Sequence, residues 1–380
     1  MMAHMKNKKV VFSENRTKAV SILSPLIAAV VMLFGVSDTA SAGVRLPSTV
    51  SNHMVIQRDK PFVLSGFATP GAMIDVSFGE EKKSVETDGQ GAWQIRFPAF
   101  PASSAPRKLQ IVGDETTLTY TNIVVGDVYV VTGSTFGPQV RKSSFKPDAL
   151  KDSFRQSGLV RTLNIGGQRE SFENPDGLYE KGFVKYGAWR PIEGIVSHTP
   201  LFVIGLGRAL DAKSTVPVGL IFADARTERL EAILPATRYR AEGLIELADA
   251  AEAMIPGTEC GDAAISNHLK AVKKWFDESA KALDEGRVPA GKCPTFTELK
   301  ETDFGSAWNG ILSPLKAISV KGVIVSEAKT RDSDELRGQK EIALSKFYRS
   351  VWGEGIDVVF IPVSNEQIQR GEALADQILR

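Results

Sequence analysis

Short runs in which apolar and polar residues alternate fill the chain from residue 43 to about residue 122. Segments such as PFVLSGFATPGAMIDVSFGE and TDGQGAWQIRF follow this period of two, and turns rich in glycine and proline separate them. Period-two alternation between turn signals predicts short strands with one buried face. The spacing of these segments predicts a small all-β sandwich domain over residues 43–122.

From residue 123 onward, apolar strand-like runs alternate with helical segments. IVVGDVYVVTG is almost continuously apolar, which is typical of a parallel strand covered on both faces, and PVGLIFAD and IDVVFIPVS are similar. HTPLFVIGLGRALDAK and SDELRGQKEIALSKFYRSVWG have the helical period, the second after a Ser333 cap. This alternation predicts an α/β domain over residues 123–380, with an open parallel, flavodoxin-like three-layer sheet and ligands at the C-terminal strand ends.

A segment rich in alanine, glutamate and lysine interrupts this domain over about residues 228–304. It contains the helical stretch AAISNHLKAVKKWFDESAKALDEG and both cysteines of the chain, Cys260 and Cys293. In an oxidising compartment the two cysteines are expected to form a disulfide that closes this helical insertion, and two free thiols are the alternative. No Cys-x-x-Cys spacing occurs, so the sequence predicts no metal site here.

The first 42 residues read as a secretory signal peptide. Basic residues precede the apolar run AVSILSPLIAAVVMLFGV, and an Ala-x-Ala cleavage site follows at Ala40–Ala42. The run is also about long enough for an uncleaved membrane anchor. The cleavage site favours removal, which predicts a periplasmic or secreted protein that has no membrane span after cleavage.

Charge and motifs narrow the classes of function. The formal net charge is +1, which gives no electrostatic basis for binding nucleic acid. No dinucleotide fingerprint follows a strand, and neither a Walker loop nor a His-Glu-x-x-His motif occurs. The sequence therefore predicts no cofactor and no nucleic-acid partner.

Several segments, in order along residues 44–367, resemble the sialate O-acetylesterases. They are LPSTVSNHMVIQRDKPFVLSGFATPG, GDVYVVTGSTFGPQ, GAWRPIEGIVSHTPLFVIGLGRALDAKSTVPVGLI, AWNGILSPLKAISVKGVIVSEAKT and FYRSVWGEGIDVVFIPVSNEQ. The resemblance implies the SGNH-hydrolase fold, named for its serine, glycine, asparagine and histidine residues. It also implies an acetylated sugar or glycan as the partner of the protein.

The nucleophile of this family falls on the turn that follows IVVGDVYVVTG. Thr135 aligns with the serine of the family, and Ser134 precedes it, so either hydroxyl is a candidate nucleophile. A third interpretation is that both hydroxyls only bond the turn backbone. The β-methyl group of threonine crowds an attacking hydroxyl and restricts its rotamers, which weakens the case for Thr135.

The two oxyanion segments of the family are altered in charge. Arg226 replaces a glycine, and Lys329 and Arg331 replace the glutamate and asparagine of the family motif. These cations predict a binding site for a carboxylate or sulfate group at the strand ends, and solvated loop charges are the alternative. Asp224 ends the strand before Arg226 and is a further candidate binding residue.

The catalytic base of the family has no counterpart. The resemblance implies an Asp-x-x-His motif after the last strand, and the sequence from there to Arg380 contains none. A hydroxyl without a positioned base is a weak nucleophile. Two hypotheses follow: a glycan-binding relative of the esterases with lost or strongly reduced activity, and an active carbohydrate O-acetylesterase with a divergent nucleophile.

Overall fold

A mixed β-sheet that carries helices on both faces organises the chain. The computed structural model describes residues 43–133, 157–168, 176–180, 183–194, 199–225, 229–253, 257–288, 291–295, 304–326, 332–361 and 367–379, with residues 152, 154, 170, 173, 174 and 255. The predicted signal peptide lies outside these residues. Among the helices that the structure describes, none is both long enough and apolar enough to cross a membrane.

Twelve strands lie within the described residues. They are β1 (Val55–Gln57), β2 (Pro61–Phe67), β3 (Met73–Phe78), β4 (Glu81–Glu86), β5 (Ala92–Ala99), β6 (Ser103–Gly113), β7 (Thr116–Gly133), β8 (Val160–Ile165), β9 (Val184–Pro191), β10 (Val218–Asp224), β11 (Gly322–Ser326) and β12 (Asp357–Ile361).

Six α-helices are described as well. They are α1 (Leu201–Lys213), α2 (Arg238–Ala241), α3 (Ile245–Glu252), α4 (Glu259–Asp284), α5 (Asp334–Trp352) and α6 (Gln367–Ile378). Short 3-10 turns cover Leu230–Ile233 and Ser313–Ala317, and Trp308–Leu312 form a π-helix. Ser333 accepts a hydrogen bond from the backbone N–H of Leu336 at 3.2 Å, so the predicted cap of α5 is confirmed.

The strands of the first 120 residues alternate between buried and exposed side chains, as the sequence pattern predicts. In β3, Ile74, Val76 and Phe78 are buried, and β2 and β5 form a second, two-stranded sheet. Phe97 of β5 packs edge-on against Phe78 at 6.2 Å between ring centroids, so the two sheets share an apolar layer. A separate β-sandwich domain stays a prediction, because β7 continues through its predicted end at residue 122.

Strand β7 joins the two parts of the fold because it pairs differently along its length. Its first half pairs antiparallel with β6, and its second half pairs parallel with β10 on one side and β11 on the other. Strand β8 lies beyond β10, β12 lies beyond β11, and β9 is antiparallel to β8. The predicted open sheet is therefore present, and the parallel strands have the order β8–β10–β7–β11–β12.

This order differs from the predicted flavodoxin-like one. A flavodoxin-like sheet places its first and second strands side by side, whereas here the third strand, β10, lies between β7 and β8. The pattern of each strand is local, but the neighbours of a strand depend on the long crossovers between strands. The sequence therefore predicted the strand type and not this arrangement.

Helices cover both faces of the parallel strands, which explains their continuous apolar pattern. Tyr129 and Val131 of β7 face a layer that contains α1 and α6, and Val128 and Val130 face the layer that contains α5 and the π-helix. Helices α1 and α6 pack closely because Gly205 lies against the carbonyl of Ile368, where a Cβ atom would stand 2.0 Å from that oxygen. This close crossing fixes α6 against α1, with the first turn of α6 at the ends of β11 and β12.

Candidate functional site

Three parallel strands end at the same level and form the edge at which the sequence predicted ligands. Gly133 at the end of β7 pairs in register with Asp224 of β10 and with Ser326 of β11. The chain leaves β7 toward β8 on one side and leaves β11 toward β12 on the other. Such a reversal of strand order opens a crevice at the carboxyl ends of the strands, where α/β proteins bind their ligands.

Only glycine fits at the end of β7. Gly133 has φ +112°, and a Cβ atom at this position would lie 2.1 Å from the carbonyl oxygen of Ser326. A side chain would push β7 away from β11 directly before Ser134 and Thr135 in the sequence. The close pairing of β7 with β11 therefore requires glycine at position 133.

The structure describes one of the predicted binding residues directly. Asp224 ends β10, is partly exposed, and lies next to Gly133 across the β10–β7 pair. The other candidates lie outside the described residues, but each follows one of the three strand ends in sequence; they are Ser134, Thr135, Arg226, Lys329 and Arg331. The described strands thus bring the starting points of all three candidate segments together.

Arg370 adds a cation at this edge that the sequence did not single out. It lies in the first turn of α6, and its Nη2 donates to the carbonyl of Ile361 at 2.5 Å and to the Ser326 hydroxyl at 3.3 Å. Its guanidinium group also stands 5.3 Å from the centre of the Phe202 ring. Ile361 and Ser326 are register partners, so Arg370 spans the ends of β12 and β11.

A buried ion-pair network ties together the chain segments that follow β10 and β11. Lys340 of α5 is 2% exposed, and its Nζ lies 2.9 Å from Glu231 Oε1 and 2.6 Å from Asp332 Oδ2. Arg229 reaches the same Glu231 oxygen at 3.2 Å. Glu231 follows Arg226 by five residues and Asp332 follows Arg331 directly, so Lys340 fixes the downstream ends of both candidate segments.

The Asn309–Gly310 pair, one of the motifs that carries the family resemblance, lies in the π-helix beside the chain that follows β8. A Cβ atom on Gly310 would stand 2.0 Å from the carbonyl oxygen of Gln168, and the Asn309 side chain donates to the carbonyl of Glu170 at 3.1 Å. Single-turn π-helices are frequent at functional sites. Here the motif holds the segment after β8 against the sheet.

The described histidines are not placed to act as the catalytic base at this edge. His53 is bonded to Asn122 at 2.9 Å and accepts from Arg161 through its carbonyl at 3.1 Å, at the end of the sheet where β8 and β10 begin. Burial, followed by the charge of Arg161, lowers the pKa of His53. His268 lies midway along α4, whose main packing partner is α3; His198 lies outside the described residues.

The predicted disulfide is wrong in this structure, which has free thiols at Cys260 and Cys293. Cys260 lies in the first turn of α4. Trp275 lies fifteen residues further along that helix and donates a hydrogen bond to the carbonyl of Gly291. Fifteen helical residues span about 22 Å, and Cys293 lies only two residues beyond Gly291. The chain beyond α4 turns back along the helix, and Cys293 forms no bond with Cys260.

One group of residues in the described chain has the composition of a metal site. Ligand atoms of Asp249, Glu252 and Cys260 lie within 4.8 Å of one another. Arg240 donates to both carboxylates, at 2.6 Å to Asp249 and at 2.7 and 2.9 Å to Glu252. Because this guanidinium group already supplies the positive charge, the cluster gives no ground for assigning a metal.

Comparisons with known proteins yield a structural relative but no sequence relative. No family profile and no curated protein sequence matches the chain significantly. A carbohydrate acetylesterase from Xanthomonas citri superposes with a TM-score of 0.58 and 19% identity, over 84% of this chain and 60% of that protein. This chain thus spans less than two thirds of the length of that enzyme.

Two further solved structures align far less well. A glycoside hydrolase candidate from Bacteroides vulgatus and a cycloisomaltooligosaccharide glucanotransferase from Paenibacillus give TM-scores of 0.18 and 0.19, at 12% and 10% identity. They cover 86% and 84% of this chain, and 78% and 53% of their own. Scores this low show no common fold. The superposition on the Xanthomonas protein does show a common fold, so this chain has a carbohydrate-esterase-like α/β fold.

Proposed function

We propose that this protein acts on or binds acetylated sugars or glycans of the sialate type outside the cytoplasm, with lost or strongly reduced esterase activity. The site is the crevice at the ends of β10, β7 and β11. One observation carries the proposal: Asp224, Gly133 and Ser326 end three neighbouring parallel strands in the same register. The fold in which they do so is shared with a carbohydrate acetylesterase. The order of the family-like motifs along the sequence supports the same ligand class.

The charges near the crevice favour a ligand that carries an anionic group. Arg370 places a guanidinium group across the ends of β11 and β12, and Arg226, Lys329 and Arg331 follow β10 and β11 in sequence. Guanidinium groups bind carboxylates through paired, charge-assisted hydrogen bonds. An acetylated acidic sugar supplies both the carboxylate and the acetyl group.

Binding without efficient hydrolysis is the form of this function that the residues support best. Ester hydrolysis by a serine or threonine hydroxyl needs a positioned base and donors for the oxyanion. His53 is committed to Asn122 and Arg161 at the opposite end of the sheet, and the sequence carries arginine and lysine where the family has its oxyanion residues. Loss of an oxyanion donor alone lowers a rate by about 10²- to 10³-fold.

The proposal is tested with the purified protein and an acetylated sialic acid. Isothermal titration calorimetry should give saturable binding that is weaker for the deacetylated sugar, and acetate release should not exceed the rate in buffer. Arg370→Ala should abolish binding. Arg208→Met is the matched control, since Arg208 joins the same two helices through Glu372 without reaching the strand ends.

An active carbohydrate O-acetylesterase is the second candidate, favoured by one observation. Gly133 ends β7 directly before Ser134 and Thr135 in the sequence, and the family that the sequence resembles carries its nucleophile after the corresponding strand. Acetate release that disappears in Ser134→Ala or Thr135→Ala would establish this alternative and refute the loss of activity.

The place of action is also a proposal. The basic residues, apolar run and Ala-x-Ala site before Gly43 support export and cleavage. Expression of the full chain in a bacterium, followed by fractionation and N-terminal sequencing, tests it. A periplasmic or secreted product that begins at Gly43 is expected, and an uncleaved chain in the membrane fraction would refute cleavage.

A further inference from the structure

A cavity of about 480 Å³ lies at the end of the sheet opposite to the candidate site. Leu159 and Pro217 line it, and they directly precede β8 and β10. Ser104 of β6 and Asn122 of β7 form another part of its wall. Binding sites for small molecules have volumes of about 300–1,000 Å³. The cavity is therefore large enough to hold a small ligand.

Arg161 of β8 brings a positive charge into the wall of this cavity. It is 5% exposed, and its guanidinium group donates four hydrogen bonds within the described chain. Nη1 donates to the carbonyls of His53 at 3.1 Å and Asn122 at 2.5 Å, and Nε donates to the carbonyl of Gly158 at 3.3 Å. Nη2 donates to the side-chain oxygen of Asn122 at 2.9 Å. All four acceptors are uncharged, and Nη2 still has one N–H to donate, because a guanidinium group carries five.

No carboxylate of the described chain forms an ion pair with Arg161. Burial lowers the pKa of Arg161 to about 10, and the charge of Glu193 acts in the opposite direction. Glu193 is half-buried, its Oε2 has no hydrogen-bond partner in the described chain, and burial raises its pKa. Arg161 is thus charged at neutral pH in a place where it is poorly hydrated and where no carboxylate is bonded to it.

A buried guanidinium group in this situation calls for an anion. Removing a charge from water is unfavourable unless an opposite charge lies close by. A buried lysine can lose its proton instead, but a guanidinium group keeps its own. An anion in the adjoining cavity would supply the counter-charge to Arg161 and an acceptor for the remaining N–H of Nη2.

The guanidinium group is also held in place by the backbone around it. Asn122 Oδ1 accepts from Arg161, so Asn122 Nδ2 is the atom that donates to His53 Nδ1, at 2.9 Å. His53 and Asn122 have positive φ angles of +67° and +56°, and both present their carbonyls to Arg161. Positive φ is uncommon outside glycine and clusters at ligand sites. A cation that is fixed in advance binds its ligand with little loss of conformational freedom.

We propose that the cavity beside Arg161 binds a small molecule through an oxyanion group, which is a carboxylate, a phosphate or a sulfate. The oxyanion lies against the guanidinium group and accepts a hydrogen bond from Nη2. The rest of the ligand occupies the cavity between β6 and the segment before β8. This site is separate from the crevice at the other end of the sheet, so its ligand binds independently of the proposed sugar.

The first test follows the ring signals of His53 by nuclear magnetic resonance in protein that carries ¹³C-labelled histidine. Inorganic phosphate, sulfate, acetate and chloride are titrated separately at constant pH and ionic strength. At least one oxyanion should shift the His53 signal with saturation, because the charge of Arg161 acts on this ring, and the signal of His268 on α4 should stay in place. The oxyanion with the lowest Kd identifies the group that the site prefers. No saturable shift of His53 with any oxyanion, or an equal shift with chloride, would overturn the proposal.

The second test removes the charge. Arg161→Gln should weaken oxyanion binding by about 10- to 100-fold, the loss expected for one charge-assisted hydrogen bond, and Arg161→Lys should retain part of the affinity. Arg96→Gln is the matched control, because Arg96 is exposed on β5 and likewise has no ion pair in the described chain; its affinity should equal that of the wild type. Circular dichroism separates loss of binding from loss of fold. Undiminished affinity in Arg161→Gln would place the anion elsewhere and refute the site.

Discussion

Removal of the Lys340 side-chain charge is the sharpest perturbation of the buried network beneath the candidate site. In Lys340→Met, Glu231 and Asp332 lose the cation that stands 2.9 and 2.6 Å from their oxygens. Glu231 is buried, so its charge cannot be hydrated as it would be in water. Arg229 remains 3.2 Å away, but its side chain is about half exposed and screened by solvent.

The expected loss of stability is large. Breaking one partner out of a buried ion pair costs about 3–5 kcal/mol, a large share of the 5–15 kcal/mol that holds a typical domain folded. For a unit of about 340 residues the entropy of unfolding is about 0.7 kcal/mol per degree, so the melting temperature should fall by about 4–7 °C. Differential scanning calorimetry and urea unfolding measure these two quantities.

Two companion variants make the test specific. Lys273→Met removes a lysine of α4 that pairs with Asp277 at 3.1 Å; both side chains are exposed, by 77% and 58%, so this variant should cost at most about 1 kcal/mol. The double variant Lys340→Met/Glu231→Gln should be more stable than the sum of its single effects predicts, by about 1.5–3 kcal/mol. Equal costs for Lys340→Met and Lys273→Met, or strict additivity in the double variant, would refute the network as described.

Four further outcomes follow from the described residues. Gly133→Ala should cost more than about 2 kcal/mol in urea unfolding, because it combines a positive φ with a clash against the β11 carbonyl, and a neutral effect would contradict that geometry. Gly371→Val should push α6 off α1 and abolish sugar binding in calorimetry, since its Cβ would lie 2.2 Å from a carbonyl oxygen; unchanged affinity would argue against a role for α6. Burial, with a neighbouring carboxylate, raises the pKa of Glu193 above 4.5; the stability from its protonated form is present below that pH and lost as the pH rises through the folded-state pKa. Glu193→Gln should therefore flatten the decline of melting temperature above pH 4.5, and an unchanged slope would assign that decline to other groups. Cys293 is exposed and should react quickly with Ellman's reagent in the native protein, and the partly buried Cys260 should react more slowly. A native protein without reactive thiols would instead support the predicted disulfide.

Local patterns in the sequence predicted the strands of the parallel sheet, because the side chains on both faces of these strands pack in an apolar core. Val128, Tyr129, Val130 and Val131 are all buried, on alternating faces, which matches the continuous apolar run. The position of β10 between β7 and β8 could not be predicted in this way. That position depends on contacts between strands that are far apart along the chain, and no local period records them.

The sequence likewise predicted only some residues of the candidate site. The sequence placed Asp224 and the Ser134–Thr135 turn at strand ends, but it did not predict the roles of Lys340 and Arg370. Both residues lie on helices whose charged positions ordinarily face solvent, and their partners are distant: Lys340 meets a residue 109 positions away and Arg370 one 44 positions away. One signal was available for Arg370, since it lies in the first turn of the helix after the last strand.

The disulfide shows the opposite case, in which a general rule gave a definite but wrong expectation. Two cysteines in an exported chain usually pair, and the sequence offers no third thiol. What the rule lacks is the length of α4 between the two thiols. A helix of 26 residues is about 39 Å long and holds apart any groups fixed at distant points along it.

The most direct test of the proposed function measures binding and acetate release in the same sample. The full mature chain is titrated with an O-acetylated sialic acid, and free acetate is followed by nuclear magnetic resonance over the course of the titration. Saturable binding that depends on Arg370, without acetate release above the rate in buffer, is the result that the account predicts. Steady release of acetate that stops in Thr135→Ala or Ser134→Ala, or an absence of any binding, would contradict it.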